Sequence, residues 1–439
     1  MNWPGVSCCL RASLKNVASA NLADVSRGFQ PGGTDRATKK GPVRLERHRS
    51  TGVFSGRQDA ALHGRSGGPP LCFAVALLML GDAPAATAGE DGASLRERFD
   101  QIINPAVEKA VRQPPTSRGG EIAWGESYHL AALVEMLDAT RDPKYAELIV
   151  KLSDWITRSR DDRQRQRDEI RAQVVAAWSS TNYSKGKRYA WAVHTGMIVA
   201  PMARFAAVVR NDPTLQERWS ADADRLLKTA EEAVAVHQGD YREGPGADEG
   251  FVYSPYLKKH LPLNMQNALA RAWLAIDDAT RSSQHREHVT RLAQFMKNRL
   301  RAMDDGSYVW AYWPPLEGPG DSFEDISHAT INVDFMVLCF EHGIVFTRED
   351  LARLEKALLK RVLLADDRVS DTVGGGDKFN KFASAVLKWG RLGRHFPAVR
   401  ERLIAFSRSP GLDRETTAVP LGIAYLSLPP VSLVKPEGR

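Results

Sequence analysis

The chain has 439 residues, with 60 Lys and Arg against 53 Asp and Glu, 43% hydrophobic residues, 34 Gly, 24 Pro and 4 Cys. This composition excludes a collagen, a disordered tail and a disulfide scaffold. The net charge of +7 lies almost entirely in residues 1–88, which hold eleven Lys or Arg and five Asp or Glu. The rest of the chain is near neutral, so we predict no basic surface for nucleic acid.

Residues 1–88 form a leader with the marks of a secretory signal peptide. The apolar run 71–80 precedes Ala86-Thr87-Ala88, a small-x-small site, so we expect cleavage after Ala88 and export to the periplasm or beyond. The long polar stretch before the run suggests a translation start near residue 60, and an organelle transit peptide is the alternative. The run is too short to span a bilayer, and no other segment is predicted to do so. The leader also holds three of the four cysteines, which excludes a disulfide framework.

Residues 89–439 are predicted to form one domain of amphipathic helices, because apolar residues recur at spacings of three and four. Helices with a charged outer face alternate with helices that are apolar nearly all round. The charged helices are predicted near 94–112, 144–160, 215–237, 284–302, 348–363 and 397–407, and the apolar ones near 124–138, 189–208, 262–278, 326–342, 378–390 and 416–427. A helix without a polar face must be surrounded by protein. Six exposed and six buried helices in alternation predict an all-α (α/α)6 toroid, in which outer helices wrap a barrel of parallel inner ones.

The connections give this predicted barrel a direction. Links from an inner to an outer helix are short, as in 139–143, whereas links from an outer to an inner helix are long, as in 161–188 and 303–325. All the long loops therefore lie at one rim, where the inner helices begin and where function is expected. An open α-solenoid is the alternative, but its repeats would have a more uniform length.

A cluster of polar residues at the start of one inner helix is the first candidate for chemistry. Asp325, His328 and Asn332 are spaced three and four apart, so they share a helix face. A carboxylate beside an imidazole can orient it and tune it for proton transfer. The alternative is structural, because Ser322 and Asp325 also have the spacing of a capping box and His328 could be a core histidine.

The loop before this helix carries aromatic residues, namely Tyr308, Trp310, Tyr312 and Trp313. Flat rings suit the apolar faces of sugars, and a tyrosine hydroxyl at such a rim can transfer a proton. The alternation of these residues equally predicts a short β-ribbon with one face packed down.

Other inner helices begin with similar polar and aromatic sets. Trp124, Glu126 and His129 precede or open the first one, Trp191 and His194 the second, and Asn264 and Asn267 the third. Polar side chains at the start of buried helices need partners, and a funnel holding water and ligand would supply them. Each of them could also be a buried polar residue that serves packing.

The domain resembles the six-hairpin toroid proteins of polysaccharide metabolism. The segments that carry the resemblance are 124–128, 194–198, 262–267 and 324–329. In toroid lyases, the resemblance implies, an amide or a basic group neutralises a uronate carboxylate while a Tyr or His removes the C5 proton. The matching residues are Asn264, Asn267 or Asn332 for neutralisation, and His328, His194 or a loop tyrosine among Tyr253, Tyr256, Tyr308 and Tyr312 for proton transfer. The adjacent Asn-His pair of alginate-type lyases and the β-sandwich of heparinase-like enzymes are absent from the sequence.

Four functions are considered for these residues. The main expectation is a lyase that cleaves an acidic polysaccharide by β-elimination, because amides and helix N-termini can stabilise the developing charge. A glycoside hydrolase is the alternative, with Glu126 and Asp325, or Asp248 and Glu249 with Asp325, as the carboxylate pair. An epimerase or a non-catalytic glycan-binding toroid completes the set. No cofactor or metal is expected, and Trp124, Glu126, Trp191, Tyr256, Tyr308 and Trp310 are the further substrate-binding candidates.

Overall fold

A computed structural model describes residues 87–431 apart from 379 and 413–416, and the side chains of residues 87–94 are also left undescribed. The apolar run 71–80 lies outside these residues. The signal peptide and its cleavage after Ala88 therefore stay predictions.

Six inner helices form a closed ring. They span Glu126–Thr140, Ala192–Arg210, Leu263–Thr280, Ile326–Glu341, Ala383–Arg394 and Ala418–Ser427. Each packs on the next in chain order, and the sixth packs back on the first. This closure confirms the all-α (α/α)6 toroid and is incompatible with an open solenoid.

Six outer helices each pack on an inner neighbour. They span Thr87–Val111, Pro143–Arg158, Pro213–Ala235, Arg286–Lys297, Arg348–Ala357 and Pro397–Ser407. The short inner-to-outer links end in helix caps: Asp142 and Asp212 accept hydrogen bonds from the first turns of the helices that begin at Pro143 and Pro213. Proline suits the first helical position because it has no N–H group that would need a partner there. Cap and proline together fix where each outer helix begins.

The fifth inner helix differs from its prediction. It begins at Ala383 instead of near 378 and is a 3-10 helix. The side chain of Asn380 accepts a hydrogen bond from the Phe382 nitrogen and donates one to the Ser370 carbonyl, so a turn occupies the predicted start. Gly390 also lies close to Tyr425 of the sixth inner helix, where a Cβ atom would be 2.9 Å from the Tyr425 Cβ.

The long loops lie together at one rim, called here the mouth, and contain the strands of the described chain. The strands pair as antiparallel ribbons: Arg167–Asp168 with Gln173–Val174, Ser179–Ser180 with Tyr189–Ala190, Tyr241–Glu243 with Gly250–Ser254 and then Lys259–His260, and Arg301–Ala302 with Tyr308–Val309. Backbone hydrogen bonds join the loops, from Leu263 to Tyr312 and from Val373 to Glu324. The loop at 303–325 is therefore bonded both to the start of the third inner helix and to the loop at 364–377.

The opposite end of the barrel is closed by charged side chains. A cavity of about 110 Å³ there is lined by the later turns of the inner helices. Arg391 is buried at this end and donates to Asp334 at 2.8 Å, to Glu135 at 2.7 Å and to Glu341 at 3.2 Å. Because residues from the ends of several inner helices meet here while their starts meet at the mouth, the inner helices run parallel.

The second inner helix, Ala192–Arg210, is long and apolar enough to cross a membrane by length and composition. No such segment was predicted outside the leader, and this prediction was wrong for the helix Ala192–Arg210. Its residues are buried along almost the whole length by the neighbouring inner and outer helices. Enclosure by protein on every side explains the composition.

The contact between the second and third inner helices depends on Gly196. A Cβ atom at this position would lie 2.3 Å from the carbonyl carbon and oxygen of Ala268. We expect Gly196→Ala to destabilise the fold by about 1–3 kcal/mol, the usual cost of overpacking a core. Chemical denaturation measures this, with Gly239→Ala as the control, since a Cβ there would meet no atom within 4 Å. Equal stability of the two variants would contradict the close packing.

Candidate active site

Asp325 and His328 form the most direct pair of functional groups at the mouth. Asp325 caps the fourth inner helix by accepting hydrogen bonds from the backbone nitrogens of Ser327 and His328, and its Oδ2 contacts His328 Nδ1. The Asp325 and His328 side chains are 43% and 22% exposed. Burial would raise the pKa of Asp325, but the hydrogen bond and charge of His328 lower it to about 2. The carboxylate is therefore ionised, and it fixes the imidazole with Nε2 left for another partner.

Tyr312 covers this pair. Its ring lies 5.0 Å from the His328 ring, measured between centroids. Burial raises the pKa of Tyr312 well above 10, and the charges of Glu324 and Asp325 add to the shift. The hydroxyl therefore stays protonated at ordinary pH and acts as a hydrogen-bond donor.

Tyr183 is close enough to Tyr312 to contribute to its raised pKa. It was not among the predicted site residues. It comes from the loop before the second inner helix, where its φ of 61° is in the left-handed region. Its ring lies 6.0 Å from Trp191 and 6.2 Å from His194. A bulky residue in this conformation is held by its surroundings and often marks a functional site. Only this strained backbone, invisible in the sequence, distinguishes Tyr183 from other loop tyrosines.

His194 is sealed beneath the mouth. It is 1% exposed, Trp124 packs on it edge to face at 5.7 Å, and a Cβ atom on Gly120 would lie 3.0 Å from its Cε1. Burial lowers the pKa of His194 to about 3, so the ring is neutral. In this conformation His194 packs with the aromatic residues around it, and its proposed role in proton transfer stays a prediction.

Glu126 is the second carboxyl group at the mouth. It opens the first inner helix, and its Oε2 is buried with no hydrogen-bond partner in the described part of the chain. Burial raises the pKa of Glu126, and the charge of Glu121 adds to the shift. The fourth inner helix, which carries Asp325, is three places away in the ring, so the two carboxyl groups start from opposite sides of the mouth.

The predicted amides form a buried chain of hydrogen bonds. Asn267 donates to Asn332 at 2.7 Å, Asn332 donates to Glu324 at 2.7 Å, and Trp310 also donates to Glu324. All four residues are at most 1% exposed, and burial raises the pKa of Glu324 well above its usual range. Asn267 and Asn332 therefore bind each other and Glu324, and a ligand would have to displace these bonds.

Asn264 is also fully buried, at the start of the third inner helix. Neither of its amide atoms has a hydrogen-bond partner among the described residues. It remains a substrate-binding candidate, since buried polar groups are normally satisfied.

The remaining aromatic candidates pack mostly inside the loops. Trp191 is fully buried and donates to the Asn182 carbonyl, and the half-buried Tyr256 packs edge to face on it at 5.8 Å. Tyr308 donates to Asp350 of the fifth outer helix at 2.9 Å, and burial raises the pKa of Tyr308 to about 12. Tyr308 belongs to the predicted β-ribbon, and Trp310, just after the ribbon, is 1% exposed and donates to Glu324.

Asp248 and Glu249, the other carboxyl groups proposed for a hydrolase, lie in two different environments. Glu249 is bound by Arg299 at 2.7 Å and by Asn298, just after the fourth outer helix. Its neighbour Asp248 lines a surface depression with residues of that helix. Of the two proposed pairs, Glu126 with Asp325 is the one whose members both begin inner helices.

Comparison of the chain with known proteins finds similarity only among solved structures. No family model and no curated protein matches the chain. Two solved structures of inactive variants of the α-1,6-mannanase of Salegentibacter sp. HEL1_6 are similar to it, one bound to α-1,6-mannotriose and one to α-1,6-mannotetrose. The identities are 11% and 10% and the TM-scores 0.46 and 0.44, and each match covers 77% of this chain and 98% of the other. Similarities of this size carry no information about activity.

Proposed function

We propose that the protein is a glycoside hydrolase that acts on a glycan bound in the mouth. The observation that carries this proposal is a pair of carboxyl groups whose environments push their pKa values apart. Burial raises the pKa of Glu126, whereas His328 lowers that of Asp325 to about 2. A carboxyl group that keeps its proton to higher pH and an ionised one are the two groups that glycoside hydrolysis requires, and here they begin helices on opposite sides of the mouth.

Glu126 takes the part of the general acid. Its protonated form can donate to the glycosidic oxygen, which then leaves as a hydroxyl group. The buried Oε2 without a partner disfavours the ionised form, so that Glu126 holds its proton until it can donate it to the leaving oxygen.

His328 and Asp325 act together as the base. Asp325 holds Nδ1, so that Nε2 can take a proton from a water molecule attacking the anomeric carbon. The ionised Asp325 stabilises the imidazolium that forms, as carboxylates do in catalytic triads. Tyr312, packed on the His328 ring, donates a hydrogen bond to the sugar.

Hydrolysis is favoured over β-elimination by the state of the amides. A lyase needs free groups to neutralise a uronate while the C5 proton is removed. Two of the three candidate amides are occupied, because Asn267 donates to Asn332 and Asn332 donates to Glu324, which leaves only Asn264 for that role. The aromatic residues around the mouth and the sequence resemblance to toroid proteins of polysaccharide metabolism support a glycan as the substrate.

Product analysis tests the reaction type. Purified protein is incubated with a panel of neutral and uronate-containing polysaccharides, and both reducing ends and ultraviolet absorbance are measured. We expect new reducing ends without the absorbance of an unsaturated uronate, and loss of the products in Asp325→Asn but not in the loop control Asp321→Asn. Absorbance that rises with the reducing ends would establish a lyase, and an intact polymer that is bound would establish a glycan-binding protein.

The role of Glu126 gives a pH-dependent prediction. Because the acid must be protonated, kcat/KM of the wild type should fall as the pH rises through the elevated pKa of Glu126. Glu126→Gln should lower kcat by about a hundredfold or more and abolish this alkaline limb, since general acids contribute 10² to 10⁴. Glu97→Gln, on the exposed face of the first outer helix, is the control. An unchanged profile in Glu126→Gln would remove Glu126 from the mechanism.

A further inference from the structure

Lys388 is an unusual residue inside the barrel. It belongs to the fifth inner helix, is 8% exposed, and its Nζ lies 4.0 Å from the centroid of the Tyr128 ring on the first inner helix. The sixth inner helix separates these two helices in the ring, so their contact reaches across the inner side of the barrel. Arg391 and Glu135, one level further from the mouth, join the same two helices.

The charge of Lys388 is not balanced within the described chain. Among the described residues, the buried Lys and Arg side chains are Arg160, Arg299, Lys388 and Arg391. The three arginines form salt bridges with carboxylates. Lys388 forms none with a described residue and rests on an aromatic ring, which offsets only part of the cost of burying an ammonium group. A buried cation without a counter-ion is an incomplete ion pair.

Lys388 lies towards the mouth, because its ammonium group rests on Tyr128, which is in the first turn of the first inner helix and two residues after Glu126. Its neighbour Trp389 stacks on Trp310 at 6.4 Å, and Trp310 donates to Glu324, the residue before Asp325. Lys388 also precedes Arg391 by three residues, which is one turn of a 3-10 helix, so the two side chains lie on one face of that helix. Arg391 faces the barrel axis, and Lys388 therefore faces it one turn nearer to the mouth.

We propose that Lys388 recognises an anionic group on the substrate, so that the enzyme acts on an acidic glycan. This inference rests on the proposed hydrolase function. A carboxylate of a uronate or a sulfate ester would complete the ion pair with the ammonium group. The remaining basic residue of this helix face, Arg391, is already saturated by three carboxylates.

The test is Lys388→Met, which keeps the length and apolar stem of the side chain and removes the charge. Its control is Lys381→Met, because Lys381 also lies on an aromatic ring, that of Phe382, but is exposed. The substrates are a uronate oligosaccharide, its carboxyl-reduced form, and the carboxyl-reduced form carrying sulfate esters.

We expect the wild type to prefer one of the two acidic substrates, which identifies the anionic group. Lys388→Met should raise KM for that substrate about tenfold or more, the effect of losing one charged contact, and leave the neutral substrate unaffected. It should also raise the melting temperature, because an unpaired buried charge is replaced by an apolar group. A lysine with a purely structural role would give the opposite stability change and would not distinguish the substrates.

The remaining outcomes separate this inference from the proposed function. Hydrolysis of the neutral glycan alone, or an equal loss on all three substrates in Lys388→Met, would overturn the role of Lys388 and leave the hydrolase in place. If none of the glycans is cleaved, the hydrolase fails, and calorimetry with the uronate oligosaccharide decides the binding role. Binding that is tenfold weaker in Lys388→Met than in Lys381→Met would support it, and equal binding would overturn it.

Discussion

Replacing His328 with alanine is expected to lower kcat by about a hundredfold or more while the toroid stays folded, because general bases contribute 10² to 10⁴. The His328 side chain is 22% exposed at the mouth, where it contacts the Asp325 carboxylate and the Tyr312 ring. Because this side chain is partly exposed and lies outside the hydrophobic core, its removal should cost less stability than the removal of a core side chain. Turnover and melting temperature are measured on the same preparation.

The matched control for this prediction lies at the other end of the same helix. His342 also pairs with an aspartate, with its Nε2 2.9 Å from Asp278 Oδ1, but it caps the helix far from the mouth. The hydrogen bond to Asp278 raises the pKa of His342, so the stability that this pair contributes is present at low pH and is lost as the pH rises through that pKa. His342→Ala should lower stability under acidic conditions and leave kcat unchanged. A His328→Ala variant that is destabilised yet fully active would show that His328 has a structural role.

The fold could be predicted from the sequence because its main signal is local. A helix without a charged face must be enclosed, and the alternation of enclosed and charged helices defines the ring without any long-range information. The bounds of the second inner helix show this, since 189–208 was predicted and Ala192–Arg210 is observed. The start of the fifth inner helix was predicted less accurately, because the turn at Asn380 depends on a hydrogen bond to the carbonyl of Ser370 in the preceding loop.

The residues of the candidate site could likewise be predicted where their contacts are local in the sequence, and not where the contacts join distant segments. The contact between Asp325 and His328 follows from helical spacing alone, and the structure places the two side chains together. Tyr183 was missed because it stands in no recognisable motif, and Lys388 was missed because its contact with Tyr128 joins two inner helices that are far apart in the sequence. The closure of the ring is what brings Lys388 to Tyr128.

The predicted roles of the amides and tryptophans were limited by burial. Asn267 and Asn332 were placed correctly on two inner helices, but their hydrogen bond to each other depends on the approach of these helices. Trp310 likewise lies in the predicted aromatic loop, and its ring turns inward because Glu324 offers a buried acceptor. A sequence reveals that a polar group needs a partner, and the packed structure decides whether the partner is protein or ligand.

The largest expected loss of stability comes from Arg391. Its guanidinium group contacts Glu135, Asp334 and Glu341, which belong to two other inner helices, and it packs on the Tyr425 ring of a third. Arg391→Met should lower the free energy of unfolding by about 3–5 kcal/mol, because breaking a buried ion pair leaves carboxylates uncompensated. Arg394→Met is the control, since Arg394 is 21% exposed and contacts only Glu341 of this acidic group. An exposed pair of this kind contributes about 0–1 kcal/mol.

The loss of unfolding free energy in Arg391→Met should become smaller as the pH falls. Burial opposes ionisation of Glu341, but the charge of Arg391 and the hydrogen bond from His395 lower the pKa of this carboxyl group to about 2. The stability that it contributes is therefore present above its unfolded pKa of 4.5 and is lost as the pH falls towards 2. The difference in the free energy of unfolding between wild type and Arg391→Met should accordingly shrink over that interval.

A double variant tests the role of charge directly. Adding Glu135→Gln to Arg391→Met should recover part of the lost stability at neutral pH, because one buried carboxylate without a partner is removed. Denaturant titrations at neutral and acidic pH measure both effects, and a deficit independent of pH would mean that Arg391 stabilises the barrel by packing instead of by charge.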